Sequence, residues 1–231
     1  SGAQQAISLI ALGLLKAGDA IGIEQPSYFY ALPIFQSVGL RIYGIPVDQN
    51  GLCIDKLDEV VHKYSLKMLF ISPIFQNPTG TVMSIKRKKE LIDFCQRKNL
   101  PIVEDDAYSQ LSFYTSLDTY PIKKLDLQGQ TIYLGSLSKY LGKSIRIGWM
   151  IAPEPIVNNL STIRQKLDSG LSALPQVMAE YYLRDYSFQH EENLRHVLSK
   201  RAQNLINWLQ ENVSDRYFYN LQLSHYSQYQ I

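Results

Sequence analysis

Four short stretches of this sequence lie at the end of an apolar run or within one, and their residue types could support chemistry at an amine. Ser136-Leu137-Ser138-Lys139 follows the run 131–135. A lysine at the lip of an apolar sheet can act as a covalent nucleophile through its neutral amine; a lone loop lysine is more often merely solvated. Glu104-Asp105-Asp106-Ala107-Tyr108 closes the run 101–104. Three acids at the end of a buried strand are costly unless something cationic faces them. Asn77-Pro78-Thr79-Gly80 follows the run 67–72, and by itself is equally well a β-turn. Arg146 stands within the apolar stretch 145–150, where a guanidinium needs an anionic partner.

The elements that must position these residues alternate. Runs at 20–24, 41–47, 67–72, 101–104, 131–135 and 145–152 read as strands, and most are continuously apolar, as in strands buried on both faces. Helical patterns fall at 3–16, 28–38, 54–64 and 84–98, the last with Ser84 as N-cap. This alternation predicts an α/β fold, a three-layer, doubly wound and mostly parallel sheet, with ligands outside the carboxyl ends of the strands. From 154 onward the pattern turns helical, at 154–168, 174–185 and 188–213. The expected organisation is a large domain over 1–185. Residues 186–231 then form a long helix leading into the start of a smaller C-terminal domain.

Composition narrows the function classes. The 231 residues are 45% hydrophobic and 19% charged, so a packed core is expected and disorder is not. A formal net charge of +2 announces no basic face for nucleic acid in this segment. The two cysteines, Cys53 and Cys95, lie far apart and outside any CxxC pattern. No disulfide or metal site is expected, and a reducing cytoplasmic setting fits. The apolar stretch 6–15 is too short to span a bilayer. The chain opens directly on Ser1-Gly2-Ala3-Gln4-Gln5 and an apolar helix, which suggests that a longer protein contributes sequence upstream.

Taken together, the segment from Ser136 through Lys139 to Arg146 and Gly148, the Asn-Pro-Thr-Gly element and the Asp-x-Ala-Tyr element resemble the signature of the fold-type-I, pyridoxal-phosphate (PLP) dependent class I/II aminotransferase family. The resemblance runs closely from Ser1 to about Met150 and more loosely to about Leu183. It implies an aspartate aminotransferase-like large domain with PLP as cofactor. By that resemblance Lys139 is the Schiff-base lysine and proton carrier. Asp105 is the carboxylate that pairs with the pyridinium nitrogen and keeps the ring an electron sink. Asn77 and Tyr108 are the donors to the cofactor's phenolic oxygen, and Tyr28 is the aromatic that stacks on its ring. Ala3 and Gln4, at the start of the first helix, form one half of a phosphate cup, where free N–H groups and the helix dipole favour an anion. Ser136, Ser138 and Arg146 form the other half, with Arg146 the permanent charge. Asp106, one residue from Asp105 on an extended chain, should point elsewhere. The catalytic set is thus Lys139, Asp105 and Tyr108.

Two departures from the family pattern stand out. Ala3 replaces the Ser or Thr often found there, so only its backbone can donate. The stretch Leu141-Gly142-Lys143-Ser144-Ile145-Arg146 lacks the proline–glycine pair that commonly precedes the arginine. No arginine sits in the context that binds a substrate carboxylate. The segments 152–157 and 166–170 are similar to MocR-type members of the GntR regulators, which fuse a winged helix-turn-helix to an aminotransferase-like domain. The resemblance implies a domain that senses an amino compound at Lys139, within a homodimeric regulator that meets DNA through an upstream domain. The alternative is a free-standing aminotransferase that moves an amino group from an amino acid to a 2-oxo acid. A third reading, a relic of the fold that binds no cofactor, conflicts with the apt side chains at every cofactor position except Ala3.

Overall fold

The computed structural model describes residues 2–28, 31–113, 117–168, 170 and 172–213. Its elements are α1 (Ala3–Leu14), β1 (Ala20–Gln25), α2 (Leu32–Ser37), β2 (Arg41–Asp48), β3 (Gly51–Leu52), α3 (Ile54–Tyr64), β4 (Met68–Ile71), α4 (Ile85–Lys98), β5 (Ile102–Asp106), α5 (Ile122–Leu125), β6 (Thr131–Ser136), β7 (Gly148–Ile151), α6 (Glu154–Leu167), α7 (Ala173–Asp185) and α8 (Ser187–Asn212). The strands form one sheet in the order β3-β2-β1-β4-β5-β6-β7. Pairs β1–β2, β1–β4, β4–β5 and β5–β6 are parallel, while β2–β3 and β6–β7 are antiparallel. The doubly wound, mostly parallel expectation holds. The chain leaves β1 first toward β2 and later toward β4, so a switch point opens between β1 and β4 at their carboxyl ends.

The central strands are apolar throughout because both faces are covered. On one face, Ile21, Ile23, Met68, Phe70, Val103, Ile132 and Leu134 pack under Ile7 and Ile10 of α1, Phe35 of α2 and Leu160 of α6. On the other, Ala20, Ile45, Leu69, Ile71 and Ile102 pack under Leu57 of α3, Leu91, Ile92 and Phe94 of α4, and Ile122 of α5. Successive residues alternate between the two cores, as the two-residue period of a strand demands. This gives three layers. A third cluster joins Leu111, Leu137, Tyr140 and Ile145 to Ala179 and Tyr182 of α7, with Leu194 and Leu198 of α8 against it. The C-terminal helices therefore pack on the segment that carries Lys139.

Some local expectations change. The run 41–47 is not buried on both faces: β2 lies next to the edge and only Ile45 is fully covered. The strand expected at 145–152 begins only at Gly148, because a tight turn at Lys143–Ile145 precedes it and Arg146 is left-handed, with φ 51°. The helix expected at 28–38 is the shorter α2, and residues 29–30 lie outside the described residues, as do Ser1 and the Tyr/Gln-rich segment from 214 to 231. Ser84 does cap α4, accepting a hydrogen bond from the Arg87 amide at 3.3 Å. Among the described residues no helix is long and apolar enough to cross a membrane.

Candidate active site

The four polar segments meet at one edge of the sheet. There they enclose a cavity of about 310 Å³, within the range of small-molecule sites. Each of the ten residues expected to bind the cofactor lines it. Ala3 and Gln4 come from α1, Tyr28 from beyond β1, and Asn77 from beyond β4. Asp105 and Tyr108 come from β5 and the segment after it, Ser136 and Ser138 from the end of β6. Lys139 and Arg146 line it as well.

Strand parity selects Asp105. Val103 belongs to the core beneath α1, so Asp105, two residues on, faces the same side. It is 9% exposed, and its Oδ1 has no hydrogen-bond partner among the described residues. Burial, with a smaller push from the neighbouring Asp106 charge and opposed by Lys139, raises its pKa to about 7. Asp106 turns to the opposite face as expected. It accepts hydrogen bonds from the Ser109 amide (3.0 Å), the Ser109 hydroxyl (2.7 Å) and the Tyr133 hydroxyl (2.8 Å). Lys139 Nζ lies 5.0 Å from the centroid of the Tyr108 ring, within the range of a cation–π contact. Tyr28 faces the same charges: burial raises its pKa, against the pull of the Lys139 charge, and Gln4 hydrogen-bonds to its side chain.

The helix start is pressed onto the sheet by a glycine. A Cβ at Gly148 would come within 2.8 Å of the Gly135 carbonyl oxygen and 3.0 Å of the Ala3 amide nitrogen. Only glycine lets the first turn of α1 reach β6 and β7 this closely. Gly2, with φ 77°, turns the chain into α1, and the Arg146 guanidinium packs 3.5–3.8 Å from where its Cβ would stand. The open N–H groups of α1, Arg146 and the two serines thus face one region. Ser136 Oγ accepts from the Ser138 amide at 3.1 Å, which fixes the strand-to-loop bend ahead of Lys139. On its far side that loop is held by α8, where His190 Nε2 lies 3.0 Å from the Tyr140 carbonyl.

Sequence reasoning did not single out Gln76, Glu24, Ser72 or Lys143. Gln76 is 3% exposed and donates to the Pro26 carbonyl at 2.7 Å, while its own carbonyl accepts from the Thr79 amide and hydroxyl. It ties the segment carrying Tyr28 to the segment carrying Asn77. Glu24 accepts from the Ser72 amide at 2.9 Å, and burial pushes its pKa up to about 8. Ser72 and Lys143 both line the cavity. Among the described residues no group of three or more His, Cys, Asp or Glu could hold a metal.

The arrangement can seat a flat, anionic, cation-bearing molecule. One cavity brings together a buried acid, a guanidinium with two serines and a helix start, and an amine. The family model for aminotransferase class I and II matches residues 1–226. The chain belongs to the aminotransferase class I and II family. It is 38% identical over 222 residues to the HTH-type transcriptional regulator YdfD of Bacillus subtilis, covering 96% of this chain and 46% of that protein. It is 33% identical over 213 residues to the HTH-type transcriptional regulator NorG of Staphylococcus aureus, covering 90% and 47%. Its fold matches the kynurenine aminotransferase of Pyrococcus horikoshii with a TM-score of 0.88 at 31% identity, over 93% of this chain and 54% of that one. It also matches the α-aminoadipate aminotransferase LysN of Thermus thermophilus, solved with N-(5'-phosphopyridoxyl)-L-leucine, with a TM-score of 0.84 at 28% identity, over 92% and 55%. The chain spans about half the length of the curated relatives it matches.

Proposed function

We propose that this aminotransferase-like chain binds PLP and senses an amino compound within a longer transcriptional regulator. The observation that carries the cofactor assignment is Asp105: a buried carboxylate with an unpartnered oxygen, in one cavity with Lys139 and Arg146. A pyridinium N–H satisfies that oxygen and removes the cost of burying it. The remaining lining fits the rest of the molecule. Arg146, Ser136, Ser138 and the α1 amides at Ala3 and Gln4 suit a phosphate. Tyr28 suits the ring face, and Asn77 and Tyr108 suit the phenolic oxygen. Bound there, the cofactor supplies an electron-withdrawing ring to chemistry at the α-carbon of an amino compound. Lys139 supplies the amine that holds it and can carry a proton to or from that carbon.

The regulator reading is supported by the curated relatives, which carry HTH-type regulator names and are about twice as long as this chain. In this reading DNA is met through a domain outside this chain, and the full-length protein is a homodimer whose partner completes the cup that Ala3 leaves short of a hydroxyl. Residues 1–185 serve as the large cofactor domain, and α8 begins the passage to a smaller one. The runner-up, a free-standing aminotransferase, is favoured by the solved structures that share the fold.

The test uses full-length protein. PLP should produce visible absorbance that Lys139→Ala abolishes, and borohydride should fix the label on Lys139. Operator binding should change when an amino compound is supplied, with slow turnover. Labelling of another lysine would overturn the site. Turnover near ~10 per second without DNA affinity would leave an ordinary aminotransferase.

A further inference from the structure

The cavity carries more positive charge than the expected set contains. Lys143 lines it together with Lys139 and Arg146, and Asp105 is the one acid among the described residues of the lining. Lys143 opens the tight turn Lys143–Ile145 that ends at Arg146, so the two cations enter the cavity from one turn. Gly142 before it has φ 101° and open space around it, a conformation that swings the chain into this turn at no steric cost. Among the described residues no hydrogen bond or ion pair engages the Lys143 ammonium.

We infer that Lys143 is a second cationic anchor for the cofactor's phosphate, acting beside Arg146. The inference rests on the PLP reading above. A phosphate monoester carries about −1.5 to −2 charges at neutral pH. Arg146 offsets one, and the N-terminus of α1 contributes the equivalent of about half a charge. Lys139 is committed to the reacting carbon, and Asp105 is matched by the ring nitrogen. Up to about half a charge therefore stays uncompensated, and Ala3 offers no hydroxyl to share it. Within this chain, Lys143, on the turn that ends in Arg146, is the group placed to supply that charge.

The experiment titrates full-length wild type, Lys143→Gln and Lys143→Arg with PLP and, separately, with pyridoxal, which lacks the phosphate, following visible absorbance. Inorganic phosphate is then added as a competitor of PLP for the protein. Lys143→Gln should raise the Kd for PLP about tenfold, as expected for losing one charge-assisted contact, and weaken competition by inorganic phosphate. It should leave the Kd for pyridoxal unchanged, and Lys143→Arg should restore PLP binding. Equal losses for PLP and pyridoxal would assign Lys143 a merely structural role and overturn the inference. So would no loss for either. A wild-type protein that binds no PLP would overturn the functional reading together with this one; wild-type binding that Lys143→Gln leaves intact overturns this one alone.

Discussion

The two faces of β5 give the same kind of side chain opposite surroundings. On the face toward α4 and α5, Glu104 accepts from the Ile122 and Lys123 amides at 2.7 and 2.8 Å, and Asp106 accepts three hydrogen bonds. Close by, the fully buried Lys88 donates to the Asp118 and Tyr120 carbonyls at 2.9 and 2.7 Å. That face is closed: Glu104 caps the start of α5, and Asp106 holds the chain beyond β5. On the face toward α1, Asp105 is also buried, yet one oxygen has no partner among the described residues. Structure spends its acids on hydrogen bonds within the chain, whereas a site keeps one in reserve for a ligand. One residue of register separates the two uses.

The comparison can be broken most forcefully at Glu104. Glu104→Ala strands two amide donors at the start of α5 and removes a carboxylate from the neighbourhood of Lys88. Hydrogen bonds to charged groups are worth roughly 1.5–3 kcal/mol each, so urea unfolding should show a loss of about 3–5 kcal/mol. Glu104→Gln keeps one acceptor and should lose about half as much. A loss under about 1 kcal/mol for Glu104→Ala would mean that this face is not the structural one.

A smaller effect is expected from pH. Glu24, Glu104 and Asp105 are raised by burial to about 8, 7 and 7, from 4.5, 4.5 and 3.8. The folded chain therefore binds more protons than the unfolded chain between these limits, and its stability falls as pH rises through 7 to 8. Without cofactor, the unfolding free energy from urea titration should drop between pH 6 and pH 9, by a few kcal/mol in total, and the midpoint with it. A midpoint that rises over this interval would contradict the buried state of these acids. Added PLP should flatten the portion owed to Asp105 and leave the Glu24 and Glu104 portions in place.

The smallest effect sharpens the difference between the faces. Asp105→Asn removes an uncompensated charge, so the cofactor-free protein at pH 8 should gain about 1–2 kcal/mol. The same variant should hold PLP less tightly, losing a charge-assisted bond worth roughly 1.5–3 kcal/mol. Asp106→Asn should do the reverse, costing stability and sparing the cofactor. Matching behaviour of the two variants would erase the distinction.

How much of this was legible in the sequence follows the same division. The buried strands β1, β4, β5 and β6 announce themselves as apolar runs, and the polar residues at their carboxyl ends converge on one cavity, as alternation of strand and helix requires. The opposite orientations of Asp105 and Asp106 follow from the two-residue period. Glu104 was visible as a costly acid, but its partners lie in α5, a helix of four residues too short to leave a periodic signal. Gln76 carried no signal either, because its role is a hydrogen bond to Pro26, 50 positions away. Arg146 was read as part of a strand because its neighbours are apolar; the left-handed backbone at that residue leaves no mark in hydropathy. Lys143 lay unremarked in a stretch noted only for lacking a proline–glycine pair, and the shared cavity gives it a place.

Gly148 has a consequence for mutation. A Cβ there would press simultaneously on the backbone of β6 and on the first peptide of α1, and neither can move aside as a flexible side chain would. Even the step to alanine must therefore prise a helix from a sheet. The position is closed to gradual drift: the chain can lose the cup in one substitution, but it cannot loosen it by degrees.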